Sequence, residues 1–355
     1  RCDCGRIHNV DIKAVYIESN ALAKVPELIR DGGWTKAFVI ADGNTYAAAG
    51  EKLVEHLTAA GIPYSKVIFA DSALVPDEHA IGRIMMRFDP ACDVIIGVGA
   101  GTINDMSRFT SFRLGVPYMI VATAPSMDGY ASTVAPLITN NLKTTYEAVM
   151  PKAIIADLDV LTHAPQEMIA AGFGDILGKY TCLVDWKLSS IINGEYYCET
   201  VVEMMRTALN RTIALKEGLA QRDKEALQKL MEALVLAGVA MSYVGNSRPA
   251  SGCEHHMSHF WEMRYLFEGR KPVLHGAKVG MSCRLALKLH DYLRSENLTA
   301  EDLLSRSIEF DYSSWKAEME RAYGKGAPEI IELEEQTGKN SFESWNKRLH
   351  STADH

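Results

Sequence analysis

Between Lys36 and about Asp157, short β-rich runs alternate with helical stretches: "KAFVIAD", "KLVEHLTAAG", "KVIFAD", "DVIIGVG", "PYMIVAT" and "KAIIAD" follow one another along the chain. This alternation predicts a largely parallel sheet with covering helices. Beyond "LDVLTHAPQEMIAAGFGDILGKYTCLVDW" the pattern changes to long amphipathic helices such as "KEALQKLMEALVLAGVAMSYVG", and strand-like runs become rare. Pro151 and Pro165 bracket the change, and proline disrupts helix interiors and central strands. The expected organisation is an α/β domain over residues 1–160 and a helical domain over 161–355. A cleft between two such halves, beyond the carboxyl ends of parallel strands, is a common place for a ligand.

The 355 residues suffice for two domains, and a hydrophobic content of 47% suffices for their cores. A formal charge of -8 argues against a nucleic-acid or anionic-membrane surface and favours a small-molecule substrate. No uninterrupted apolar run approaches the length of a membrane span, and "RCDCGRIHNV" lacks the apolar core of a signal peptide, so the expected location is the cytoplasm. Seven scattered cysteines in a chain this long need no disulfide framework, and Cys182, Cys198 and Cys283 lie in apolar segments as core residues. Cys2, Cys4 and His8 fall short of a closed metal site, which makes a frayed or simply docked terminus the expectation there.

"DVIIGVGAGTINDMSR" joins an apolar run to an expected helix through Gly97, Gly99 and Gly101. Glycines let backbone approach a phosphate closely, and the N–H groups of a helix start favour an anion. The spacing is neither the G-x-G-x-x-G fingerprint nor a P-loop, so pyrophosphate cradle and plain tight turn both stand as readings. The next candidate turn, "IVATAPSMDGYAS", offers hydroxyls from Thr123, Ser126 and Ser132, with Asp128 either a turn-former or a polar contact for substrate.

Asp175 sits among apolar residues and glycines in "GFGDILGKY", an unusual setting for a solvated carboxylate. In "CEHHMSHFWEMRYLF", His255 and His259 share a helical face, whereas His256 is turned by about 100 degrees from His255. His275 follows in "LHGAKVG", where Gly276 permits close packing. One carboxylate and two imidazoles leave a divalent ion open to substrate or water, as catalytic sites require. Satisfied core or surface histidines remain the competing reading, and pattern alone does not separate the two.

"GVGAGTINDMSR", "ATAPSMDGYAS", "GFGDILGKYTCLVDW", "SRPASGCEHHMSHFWEM" and "LHGAKVG" together, in this order, closely resemble the sn-glycerol-1-phosphate dehydrogenases, particularly their bacterial AraM-like group. These belong with glycerol dehydrogenase, iron-type alcohol dehydrogenases and dehydroquinate synthase. The resemblance implies an N-terminal nucleotide-binding α/β domain, an all-α C-terminal metal-binding domain and an active site in the cleft between them. It implies Asp175, His255 and His275 as metal ligands and catalytic residues, with His259 a further catalytic residue that contacts substrate. His256 receives no role.

On the same resemblance the cofactor, NAD(H) or NADP(H), lies on Gly99, Ala100, Gly101 and Thr102, with Asn104 and Asp105 opening the helix and Thr123, Ser126 and Ser132 lining the next turn. Asp42, just after "AFVIA", would accept ribose hydroxyls and so hints at NAD. Asp128, Asp175 and His259 would meet substrate, and Arg248, seven residues before His255, is the first candidate for its phosphate, ahead of Lys143 and Lys179. The implied reaction is reversible reduction of dihydroxyacetone phosphate, for glycerophospholipid or ether-lipid synthesis. One divalent ion would serve it, Zn²⁺ by default with Ni²⁺ or Fe²⁺ as alternatives. A homodimer or higher assembly is implied as well. The competing functions are oxidation of an unphosphorylated polyol and a binding protein that keeps the fold without chemistry. Dehydroquinate synthases differ in having Glu where Asp175 stands.

Overall fold

The computed structural model describes residues 2–70, 74–140, 142–305, 311–338 and 341–355. Six strands form one all-parallel sheet: β1 (Ala14–Glu18), β2 (Ala37–Asp42), β3 (Tyr64–Phe69), β4 (Val94–Gly99), β5 (Tyr118–Ala122) and β8 (Ala153–Asp157). Their spatial order is β1-β8-β5-β4-β2-β3. β4, β5 and β8 are buried along their whole length, as continuous apolar runs must be when helices cover both faces of a parallel sheet. After β2 the chain builds β3 on one side and then returns to place β4 on the other. The reversal opens a crevice at the carboxyl ends of β2 and β4, the switch-point position where open α/β sheets bind ligands.

Two elements of this half depart from the expected pattern. The short edge strand β1, "AVYIE", precedes the region where alternation was legible, and Val15 on it is exposed. Between β5 and β8 the chain forms an antiparallel hairpin, β6 (Val134–Thr139) with β7 (Leu142–Glu147). Asn140 in its turn takes a φ of 52°, a left-handed conformation that asparagine tolerates. Arg108, fully buried, anchors the hairpin's entry by donating to the carbonyls of Val134 and Gly129 and to the Tyr118 hydroxyl. Asp71, the last residue of "KVIFAD", lies outside the described residues.

From Leu158 onward the named elements are helices, and we propose the division between the two domains at residues 160/161 on that basis. The helix Lys224–Val244 is long and apolar enough to cross a membrane by length and composition, but 56% of its most apolar stretch is buried. Leu227, Leu230, Leu234 and Ala237 on it are fully buried, so it is the core helix of this half. Gly245, at a φ of 83°, ends it.

In the helical half, Gln166–Leu177, which carries Asp175, packs closely against His275–Ser295. Glycines make it possible. A Cβ on Gly276 would lie 1.9 Å from the Ala171 carbonyl oxygen, and one on Gly174 would lie 2.5 Å from the Gly276 oxygen. Gly280 faces Gly174 at a similar spacing, with 2.9 Å from its would-be Cβ to the Gly174 Cα. Backbone thus packs on backbone directly beside Asp175 and His275. Gly174→Ala should therefore lower stability by roughly 1–3 kcal/mol through overpacking, read as a lower urea midpoint. An unchanged midpoint would show that the two helices do not pack at this distance.

Candidate active site

Three helices deliver the expected cluster. Asp175 comes from the last turn of Gln166–Leu177, His255 from the first turn of Cys253–Phe267, and His275 is the first residue of His275–Ser295. One ligand atom from each lies within 4.8 Å of those from the other two. His255 Nε2 stands 3.7 Å from Asp175 Oδ1, and the two imidazole rings are 5.2 Å apart. His259, one turn after His255, has its ring 6.1 Å from both and is exposed. His256 points away to the surface.

The cluster is held by a surrounding polar shell. His255 Nδ1 donates to Glu254 Oε1 at 2.7 Å, which turns Nε2 toward Asp175. Glu254, itself fully buried, accepts from the Thr181 hydroxyl at 2.5 Å and the Gly252 amide at 2.7 Å. Asp175 Oδ2 accepts from the Asp128 amide at 3.0 Å, and Oδ1 from Lys179 at 3.1 Å. The carboxylate is fully buried. Two nitrogens and an oxygen that converge at this spacing, with one imidazole already oriented by a carboxylate, fit a divalent cation.

Lys179 does not serve as a phosphate contact. Its Nζ, completely buried, donates to Asp128 Oδ2 at 2.6 Å, Asp175 Oδ1 at 3.1 Å and the Ala250 carbonyl at 2.9 Å, which uses all three of its protons. Burial opposes the charge on Lys179, yet Asp128 and Asp175 outweigh it and push its pKa upward. Burial likewise would raise the Asp175 carboxyl, but Lys179 with His275 and His255 holds it at about 2. Desolvation, reinforced by the neighbouring His255 charge against the pull of Asp175, takes His275 down to about 4. His259 is pushed in the same direction by the crowding of its surroundings and by His275 and Lys143.

At the carboxyl ends of the strands, Gly99, Ala100, Gly101 and Thr102 form the turn from β4 into the helix Gly101–Leu114. Ala100 caps that helix with no side-chain hydrogen bond, and a Cβ on Gly101 would meet only Met127, at 3.6 Å. Gly99 is fixed by packing instead, since its Cβ would strike Ile103 at 2.6 Å. Thr123 and Ser126 are buried in the adjoining turn. The Ser132 hydroxyl is engaged with Val134 at the start of the hairpin. Asn104 differs from expectation: fully buried, it donates to the Gly129 carbonyl and accepts from Tyr118, so its side chain anchors the turn from inside. Asp105 lies near Arg108, and burial raises its carboxyl to about 6. Asp42 ends β2 and caps the next turn by accepting from the Thr45 amide at 2.9 Å.

The expected Arg248 contact is redirected. Its guanidinium pairs with Glu195 at 2.7 Å and touches Ser189 at 3.4 Å. Ser189 is ten residues beyond Lys179 on one helix, about 15 Å along the axis at 1.5 Å per residue, so this pairing draws Arg248 away from the Asp175 cluster. Two lysines stand closer. Lys143, on β7, reaches Glu262 at 2.8 Å, and Lys278, one turn after His275, approaches the same Glu262 oxygen at 3.5 Å. Lys278 was not singled out from sequence, although its spacing from His275 in "HGAKVG" puts both on one helical face. Burial lowers the pKa of Lys278.

The depressed His275 has a definite pH consequence for the metal-free protein. Its folded pKa of about 4 lies below the ordinary 6.5, so between these values the unfolded chain binds more protons than the folded one. Stability from this group is complete above pH 6.5 and declines as pH falls toward 4. Urea midpoints of chelated protein should therefore drop over that window, and His275→Gln should flatten the drop. An equally steep slope in the variant would reject the assignment.

A family model described as iron-containing alcohol dehydrogenase matches residues 16–165. The glycerol-1-phosphate dehydrogenase of Halalkalibacterium halodurans is 40% identical over 81% of this chain and 73% of its own length. That of Geobacillus thermodenitrificans is 36% identical over 92% of this chain and 80% of its own. In fold, the chain is similar to glycerol dehydrogenase from Schizosaccharomyces pombe, with a TM-score of 0.65 at 20% identity over 84% of this chain and 75% of that one. It also resembles an iron-containing alcohol dehydrogenase from Thermotoga maritima, with a TM-score of 0.61 at 15% identity over 97% and 87% of the two chains. The helical half that supplies all three clustered side chains and the strand-to-helix glycine turn thus occur in one chain with extended similarity to these enzymes, and the chain belongs to the glycerol-1-phosphate dehydrogenase family.

Proposed function

We propose that this protein reversibly reduces dihydroxyacetone phosphate with NAD(P)H to sn-glycerol 1-phosphate, supplying glycerophospholipid or ether-lipid synthesis. The observation that carries this reading is the convergence of Asp175, His255 and His275 in a chain 40% identical to a glycerol-1-phosphate dehydrogenase. These three residues would hold one divalent ion, with Zn²⁺ the first choice and Ni²⁺ or Fe²⁺ compatible with the same donors. Such an ion supplies Lewis acidity toward a carbonyl oxygen, and the nicotinamide supplies the hydride.

The chain's own residues do the positioning. Glu254 fixes the His255 ring, and Lys179 keeps Asp175 ionised and aligned with the Asp128 turn. The crevice at the ends of β2 and β4 would receive the cofactor on Gly99 to Thr102, with Thr123, Ser126, Ser132 and Asp105 nearby and Asp42 toward the ribose. His259, open to solvent beside the cluster, would contact substrate and pass the proton that the product oxygen needs. Lys143 and Lys278 would bind the phosphate, with Glu262 holding the two ammonium groups in place. Small phosphorylated triose as substrate, a cytoplasmic location and a homodimeric or larger assembly complete the reading.

The second reading is an unphosphorylated polyol, favoured by the fact that Glu262 already neutralises part of the lysine charge. Oxidation of NADH and NADPH with dihydroxyacetone phosphate or dihydroxyacetone, before and after chelation and metal restoration, with chiral analysis of the product, separates the two. The expected outcome is metal-restored activity specific for the phosphate ester. Lys278→Met should then raise KM for it by about 10- to 100-fold, as loss of one charge-assisted hydrogen bond does, whereas Arg248→Ala should change KM little. Equal turnover of both ketones would sink the phosphate assignment.

A further inference from the structure

The N-terminal cysteines are not frayed. Cys2 and Cys4 come together with His8, and the fold adds a fourth group, Cys198, from 190 residues away. One ligand atom of each lies within 4.8 Å of all the others. Cys2 Sγ to Cys198 Sγ is 3.7 Å, Cys4 Sγ to His8 Nε2 is 3.4 Å, and Cys198 Sγ to His8 Nε2 is 3.5 Å. A tetrahedral zinc ion with bonds of about 2.3 Å to sulfur and about 2.0 Å to nitrogen requires edges of about 3.8 Å between sulfurs and about 3.5 Å between sulfur and nitrogen. The observed separations match these edges.

We propose that Cys2, Cys4, His8 and Cys198 form a closed Cys₃His zinc site, structural in role and separate from the Asp175 cluster. His8 Nδ1 lies 3.2 Å from the Tyr243 carbonyl, which accepts its proton and leaves Nε2 free to ligate. The Tyr196 hydroxyl donates to Cys4 Sγ at 3.1 Å, an interaction that steadies a thiolate. Cys198 is the N-cap of the helix Glu199–Ala214, where the first-turn amides favour a negative sulfur. Gly5, at a φ of 84°, turns the chain between Cys4 and His8. Arg6 packs over the Tyr196 ring at 3.4 Å and closes the loop on the outside.

A disulfide accounts for less of this arrangement. The Cys2 and Cys198 sulfurs are 3.7 Å apart rather than the bonded distance of about 2.05 Å, and a bond between them would leave Cys4 and His8 gathered for no purpose. Three thiolates and one imidazole with no open position suit Zn²⁺ in a structural site. Its effect is mechanical: the ion ties the segment that leads into edge strand β1 to the helical half, at the start of one helix and the end of another, since Tyr243 and Val244 close the Lys224–Val244 helix. Binding needs no oxidant, since each thiol releases a proton as it ligates.

The test uses the full chain, purified under reducing conditions, with metal content and cobalt substitution as readouts. Sulfur ligands give bound Co²⁺ an intense near-ultraviolet charge-transfer band that an aspartate and two histidines do not. Wild type and His275→Ala should both show the band, and the double variant Cys4→Ser/His8→Ala should lack it and carry one zinc equivalent fewer than wild type. Should the double variant fail to fold, Cys2→Ser and the wild-type spectrum alone decide. Absence of the band in cobalt-loaded wild type, or a Cys2–Cys198 disulfide found by peptide mapping, would overturn the site while leaving the dehydrogenase reading intact.

Discussion

The buried ammonium of Lys179 is the interaction on which the site depends. It draws together Asp128 from the turn after β5, Asp175 from the helical half, and the Ala250 carbonyl from the segment that leads into the histidine helix. A charge with no exposure is tolerable only when its partners neutralise it, and removal of one member of such a group typically costs about 3–5 kcal/mol because another charge is left uncompensated. The arrangement therefore fixes two halves and a loop relative to one another. Together with His275 and His255, it also keeps Asp175 ionised against the pull of burial.

Backbone contact supplies the second constraint. Side chains on Gly174, Gly276 or Gly280 would separate the helices that carry Asp175 and His275, and the two ligand atoms would move apart with them. The same glycines that weaken a helix by their flexibility are here the condition for a close approach. Polar positioning by Lys179 and apolar closeness through glycine act on the same carboxylate from two directions.

Charge in the cleft follows a related logic. Glu262 holds Lys143 from the β6–β7 hairpin and Lys278 from the His275 helix, so the hairpin that sequence periodicity missed is tied to the helices that carry the histidines. Arg248 pairs with Glu195 instead. At the far end of the helical half, Cys198 meets the N-terminal "CDCGRIH" segment, giving that segment a fixed place against two helices.

Sequence alone determined the parallel character of the sheet, the change to helices near residue 160 and the glycine turn after β4, and it singled out Asp175, His255 and His275, which the fold brings together. Each of these rests on a local signal: apolar runs bounded by turns, helical spacing, or a motif read as a block. β1 was too short and too exposed to stand out, and the β6–β7 strands carry a weak alternation interrupted by Pro136 and Thr residues. Only the tertiary structure decided that Lys179 is a strut, that Asn104 faces inward, that Lys278 joins Lys143 at Glu262, and that Cys198 completes the N-terminal cluster. The reason is common to all four: their partners lie on other elements, Cys198 being 190 residues from His8, and periodicity carries no information about which charge or sulfur a distant segment will bring.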